Sequence, residues 1–218
     1  MLRDILNCIA QTGIVSIIRG IDESYIENTV KALYNGGIRN VEITFDTPGA
    51  ARMIENVKNL FGEKMLVGAG TILDAETARI AILSGADFVL SPSLSTGVIE
   101  MCSRYGKLAV PGVLTPTEIV TAWQAGAQLV KLFPARAFGS AYIKDIKAPL
   151  KQIEVMAVGG INVANAAEFI RSGAMSVGVG SELVNRKIVY EGNYDLLTKN
   201  SAQIVESVKR VQGMDVHR

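Results

Sequence analysis

Residues 125–133, AGAQLVKLF, end one structural element and begin another. A helical pattern that starts at Pro116 stops at Gly126, and two residues later an apolar run begins. The same phrase returns as NGGIRNVEIT (35–44), SGADFVLS (84–91) and SGAMSVGVG (172–180). Glycine suits the position just past a helix because it takes a positive φ without steric cost. A helix stop followed at once by a strand, repeated every 20–30 residues or so, is a βα unit.

Working outward from these stops, eight apolar runs stand out: IVSII (14–18), VEIT (41–44), MLVGAG (65–70), FVLS (88–91), LAV (108–110), LVKLF (129–133), VMAVGG (155–160) and SVGVGS (176–181). They are rich in Val and Ile and do not alternate with polar residues, as expected of strands covered on both faces. Helices are predicted after Asp22, after Asp74 and from Thr115-Pro116, closed by Gly36-Gly37, Gly85 and Gly126. The first 13 residues read as a short amphipathic helix ended by Gly13 and not as a signal peptide. Eight strands alternating with helices predict an α/β fold, a (β/α)8 TIM barrel with a short N-terminal helix, residues 1–218 forming a single domain. The competing doubly wound sheet fits less well, because the first βα turn, IIRGID, lacks the glycine pattern of a dinucleotide site.

Composition narrows the chemistry. A formal net charge of +1 gives no reason to expect nucleic acid or a membrane surface as partner. No apolar run reaches the roughly 18 residues of a membrane-spanning helix. Two distant cysteines, Cys8 and Cys102, fit a reducing, cytoplasmic setting. The single histidine is His217, so a histidine triad, a histidine-rich zinc site and a histidine base are excluded.

In a barrel, functional groups gather at the C-terminal ends of the strands. Lys131 interrupts an apolar strand there. One reading is a lysine whose stem is buried and whose amine reaches a rim carboxylate. The other is a desolvated amine, its pKa lowered, able to attack a ketone and form a Schiff base. Glu42 is the one glutamate inside an apolar predicted strand. It is either a hydrogen-bonded structural carboxylate or an acid/base whose pKa burial has raised. Gly159-Gly160 and Gly180-Ser181 follow the last two strands, where such barrels commonly cradle phosphate, with Ser181 expected at a helix N-terminus. Arg19 is read as a surface ion pair or an anion clamp, and Thr71 as a cap of the following helix or a donor to a carboxylate. Trp123, within a predicted helix, is read as packing.

Taken together, VEIT with Glu42, VGAGTIL with Thr71, LSPSLS with Pro92, VPGVLTPTE, KLFPA with Lys131 and Phe133, AVGGI and VGVGSELV occur in an order and spacing that closely resembles the 2-keto-3-deoxy-6-phosphogluconate (KDPG) and 4-hydroxy-2-oxoglutarate (KHG) aldolases. The resemblance spans about Ile14 to Val184. It implies a class I aldolase without metal or other cofactor, a homotrimer that cleaves a phosphorylated keto acid to pyruvate and glyceraldehyde 3-phosphate. Lys131 would form the Schiff base and Glu42 would move protons. Arg19, Thr71, Pro92 and Phe133 would bind substrate, and Gly159, Gly160, Gly180 and Ser181 its phosphate.

Two departures stand out. Several members of that family carry an arginine shortly after the glutamate strand, where this chain has Asp46. Members acting on the gluconate compound often have Thr before the glycine pair, where this chain has Val158. The latter feature, with AFGSAYIK after the lysine, resembles aldolases of the C4 epimer, 2-keto-3-deoxy-6-phosphogalactonate (KDPGal). That substrate is the alternative. A phosphosugar epimerase or lyase that does not use the amine is a more distant one.

Overall fold

The structure, a computed structural model, describes residues 2–213; His217 lies outside them. Helix α1 (Leu2–Thr12) leads into strand β1 (Ile14–Ile18). The repeating units then follow: α2 (Glu23–Asn35), β2 (Asn40–Thr44), α3 (Ala50–Phe61), β3 (Leu66–Gly70), α4 (Ala75–Leu83), β4 (Phe88–Leu90) and α5 (Thr96–Arg104). The second half comprises β5 (Leu108–Val110), β6 (Gly112–Val113), α6 (Pro116–Gln124), β7 (Leu129–Leu132), α7 (Ala141–Lys147), β8 (Glu154–Val158), α8 (Ala166–Arg171), β9 (Ser176–Val179), α9 (Arg186–Tyr190) and α10 (Tyr194–Gln212).

Every strand pairing is parallel, in the order β5-β4-β3-β2-β1-β9-β8-β7-β6. The eight expected strands are therefore nine segments, because the fifth is broken at Pro111. Proline has no N–H to give a ladder. Its carbonyl still accepts from Lys131 N–H at 2.8 Å, so β5 pairs with β4, β6 with β7, and the interrupted strand closes a (β/α)8 barrel.

The start signals act largely as expected. Asp74 accepts from Thr77 N–H at 2.7 Å, and Thr115 with Glu118 forms a reciprocal capping box around Pro116. Asp22 holds the cap position of α2 without a side-chain hydrogen bond. Trp123 departs from its packing assignment: it lies on the outer face of α6 and is 39% exposed.

The core has two layers. Ile14, Ile18, Val41, Ile43, Val177 and Val179 face outward against the helices. Val15, Ile17, Phe88, Leu90, Leu129 and Met156 fill the barrel, and Ile5 and Ile9 of α1 join them. Helix α1 is thus a plug under the barrel. Each of its two isoleucines contributes about 1.5–3 kcal/mol by burial. With the N-terminal end stoppered, the C-terminal end is left open. Among the described residues no helix is long and apolar enough to cross a membrane, and no group of three or more His, Cys, Asp or Glu is placed to hold a metal ion.

Candidate active site

A cavity of about 670 Å³ opens at the C-terminal ends of the strands. Nine of the ten residues singled out from the sequence line it: Arg19, Thr71, Pro92, Lys131, Phe133, Gly159, Gly160, Gly180 and Ser181. The tenth, Glu42, is fully buried in the barrel wall. A second cavity, between α2 and α3 on the outer surface, contains none of them.

Lys131 is fixed by register. It stands opposite Gly112 on one side and Met156 on the other, and only 3% of it is exposed. Its Nζ lies 5.0 Å from the centroid of the Phe133 ring, a cation–π contact. Among the described residues no carboxylate comes within ion-pair distance of that amine, so the rim-carboxylate reading is set aside. Burial pushes its pKa down from the ordinary value, opposed by the negative charge of Glu42 and reinforced by Arg19.

Glu42 pairs in register with Ile17 on β1 and Gly68 on β3. Among the described residues neither carboxylate oxygen has a hydrogen-bond partner, unlike the hydrogen-bonded carboxylate of a structural role. The side chain lies over Gly70. A β-carbon on Gly70 would overlap the Glu42 carboxyl group and stand 2.7 Å from its Cγ. The second glycine of VGAG is thus the slot in which the carboxylate sits. Burial raises the Glu42 pKa. The positive charges of Lys131 and Arg19 pull it back, and Asp46 adds to the rise.

Arg19 bridges two loops. Its Nη1 donates to Asp46 Oδ2 at 2.5 Å and its Nη2 to Thr71 Oγ1 at 2.9 Å. Thr71 has φ +58°, a left-handed conformation that is costly for a β-branched residue. It does not cap α4, since Asp74 does that. Asp46 therefore occupies the guanidinium of Arg19. The pair is about half exposed, so its net contribution to stability is small.

Ser181 departs from expectation. It opens a single turn in which Leu183 and Val184 N–H both return to the Gly180 carbonyl at 2.9 Å, and helix α9 begins only at Arg186. The hydroxyl therefore comes from a turn and not from a helix N-terminus. Val158 lines the cavity, with Cγ2 2.8 Å from where a β-carbon on Gly178 would stand. Arg136 and Arg186, absent from the sequence reading, also line the cavity. Arg136 follows KLFPA by one position, so continuing past the strand end would have found it; Arg186 carries no such signal.

Chemically, the site combines an amine whose pKa burial lowers, a carboxyl group whose pKa burial raises, and a rim rich in backbone amides and guanidinium groups. Such a site can form an imine with a small ketone and move protons beside it.

Residues 5–200 match the family model described as KDPG and KHG aldolase. The chain is 37% identical over 171 residues to the 2-dehydro-3-deoxy-6-phosphogalactonate aldolase of Escherichia coli K12, covering 78% of this chain and 83% of that one. It is 32% identical over 198 residues to the 2-dehydro-3-deoxy-phosphogluconate aldolase of Treponema pallidum, covering 89% and 94%. The fold superposes on the KDPG aldolase of Legionella pneumophila, solved with pyruvate captured as a covalent carbinolamine, with a TM-score of 0.86, 26% identity and coverage of 91% and 97%. This chain belongs to the KDPG and KHG aldolase family and is an aldehyde-lyase of the class I type.

Proposed function

We propose that the enzyme cleaves 2-keto-3-deoxy-6-phosphogluconate to pyruvate and glyceraldehyde 3-phosphate, with 4-hydroxy-2-oxoglutarate as a further substrate, through an imine on Lys131. One observation carries this reading: among the described residues, a buried amine without an ion-pair partner at the barrel mouth lies within electrostatic reach of a buried carboxyl group without a hydrogen bond. The neutral amine attacks the C2 ketone, and loss of water gives the iminium. Deprotonation of the C4 hydroxyl breaks the C3–C4 bond, and its electrons pass into the iminium to form an enamine. Glu42 moves the protons. Protonation at C3 and hydrolysis then release pyruvate and restore the amine.

In this reading Arg19 and Thr71 bind the carboxylate, Pro92 and Phe133 pack against the pyruvyl end, and the Gly159-Gly160 and Gly180-Ser181 loops take the phosphate. The test is borohydride reduction with pyruvate followed by peptide mapping. A pyruvyl adduct on Lys131 is expected, and a folded protein that gives none would refute the mechanism.

The epimer, 2-keto-3-deoxy-6-phosphogalactonate, is the second reading. Val158 favours it: an apolar side chain on the cavity wall offers no hydrogen bond to a substrate hydroxyl, and an unmatched hydroxyl is costly to bury. Assaying both phosphorylated keto acids side by side decides between them.

The reading further makes the enzyme a cytoplasmic homotrimer. The free thiols Cys8 and Cys102 suit a reducing compartment. Exposed Leu73, Ile80 and Leu83 on and beside α4 supply an apolar flank for self-association.

A further inference from the structure

We infer that Arg136 and Arg186 form a two-guanidinium clamp for the dianionic phosphate of the substrate, so that this chain reads the phosphate by charge as well as by backbone amides. The inference rests on the phosphate end assigned under Proposed function.

Both arginines line the cavity together with the two glycine loops. Arg136 follows β7, and its N–H donates to the Gly159 carbonyl at 3.1 Å. Its stem lies flat on Gly160: a β-carbon there would stand 2.7 Å from Arg136 Cβ and 2.9 Å from Cδ. Arg186 comes from the start of α9, beyond the Ser181 turn. Its guanidinium rests on the backbone of Gly20, where an added β-carbon would overlap it and stand 3.1 Å from Nε. The Gly20 loop is also held from α9 by Tyr190, whose hydroxyl donates to the Gly20 carbonyl at 3.1 Å.

The stems are therefore placed by packing, while the charges are uncommitted. Among the described residues neither guanidinium makes an ion pair or a side-chain hydrogen bond, although six other arginines do. Glu182 is the one acid among the cavity-lining residues, and it pairs with neither. The Gly160 and Ser181 amides likewise donate no hydrogen bond within the described chain. Two free planar donor forks beside two free amides match a phosphate monoester, which offers three acceptor oxygens and close to two negative charges. They do not match a neutral sugar terminus.

The test compares the wild type with the double variant Arg136→Met, Arg186→Met, which keeps an apolar stem at each place, and with the double Lys variant, which restores point charge. Two quantities are measured: KM for the phosphorylated keto acid, and the pyruvate concentration giving half-maximal borohydride trapping. The expected result is a KM rise of about 30-fold or more in the Met variant, partial recovery in the Lys variant, and a pyruvate half-saturation within twofold of wild type. An unchanged KM would overturn the clamp, and so would an equal rise in both quantities, because that would indicate general distortion of the barrel mouth. Absence of trapping in the wild type would instead refute the imine mechanism, leaving the KM comparison to judge the clamp separately.

Discussion

The carboxyl group of Glu42 occupies the space in which a side chain on Gly70 would begin. The two residues are two strand positions apart in register, Glu42 standing opposite Gly68 and Thr44 opposite Gly70, so the carboxylate leans along the barrel wall into the neighbouring strand's gap. Gly70→Ala should therefore displace the carboxyl group proposed to move protons, without touching it chemically. The expected result is a kcat lower by about 100-fold or more and a stability loss of about 1–3 kcal/mol from overpacking. In a double-mutant cycle with Glu42→Ala, the stability loss of Gly70→Ala should largely vanish. Additive losses would show that the methyl group clashes with something else.

Replacing Glu42 by Gln should leave borohydride trapping of pyruvate intact and slow carbon–carbon cleavage by about 100- to 10,000-fold. The same variant should change the pH dependence of stability. Burial raises the folded-state pKa of Glu42 above its ordinary value of 4.5. The unfolded chain therefore releases this proton first as pH rises. From about pH 4.5 up to the raised folded-state value, wild-type stability should fall with pH on account of this group, then level off. Denaturant titrations of the Gln variant should lack that component. An identical pH profile would mean that Glu42 titrates normally.

On the proposed role of Arg19, Asp46 and the substrate carboxylate compete for one guanidinium. Asp46→Asn keeps the shape and removes the charge, so pyruvate should half-saturate trapping at about 3- to 10-fold lower concentration, a gain of about 1 kcal/mol, as for a single exposed charge contact. In an Arg19→Ala background the same change should do nothing. A loss of pyruvate affinity in Asp46→Asn would instead make Asp46 the residue that aims Arg19.

Val158→Thr supplies the missing hydroxyl on the cavity wall. The ratio of kcat/KM for the gluconate compound over the galactonate compound should rise about tenfold, which is the effect of one added polar contact. A ratio that does not move would place epimer selection elsewhere in the cavity.

Self-association through α4 predicts that Leu83→Glu converts the assembly to smaller species by light scattering. An unchanged mass would exclude this flank.

Much of this architecture could be read before any coordinates, for physical reasons that also explain the exceptions. Strand β1 matches the run 14–18, and β2 gains only Asn40, because a doubly covered parallel strand writes itself as unbroken Val and Ile. Lys131 and Glu42 stood out because each is a charge in such a run. The break at Pro111 was not legible, since a two-residue strand beyond a proline has no period to detect. Ser181 reads as a helix start because a hydrogen-bonded turn and a first helical turn favour the same residues. Trp123 reads as packing because it sits in a predicted helix, and the pattern there does not give the face of α6 it occupies. Arg136 and Arg186 escaped because exposed arginines are common; only their position over Gly160 and Gly20 distinguishes them.

The groups of the site also divide by chain order. Arg19, Glu42, Asp46 and Thr71 lie on β1 to β3 and the loops that follow them, whereas Lys131, Arg136, Val158, Gly160, Ser181 and Arg186 lie on β7 to β9 and theirs. The break at Pro111 lies between the two blocks. On the proposed assignments, recombination within that seam, joining the first half of one relative to the second half of another, would exchange nucleophile, phosphate grip and epimer wall as one heritable package. The proton-moving and carboxylate-holding apparatus would come from the other parent. A barrel so divided would change what it cuts in a single genetic crossover while inheriting intact the apparatus proposed to move the proton.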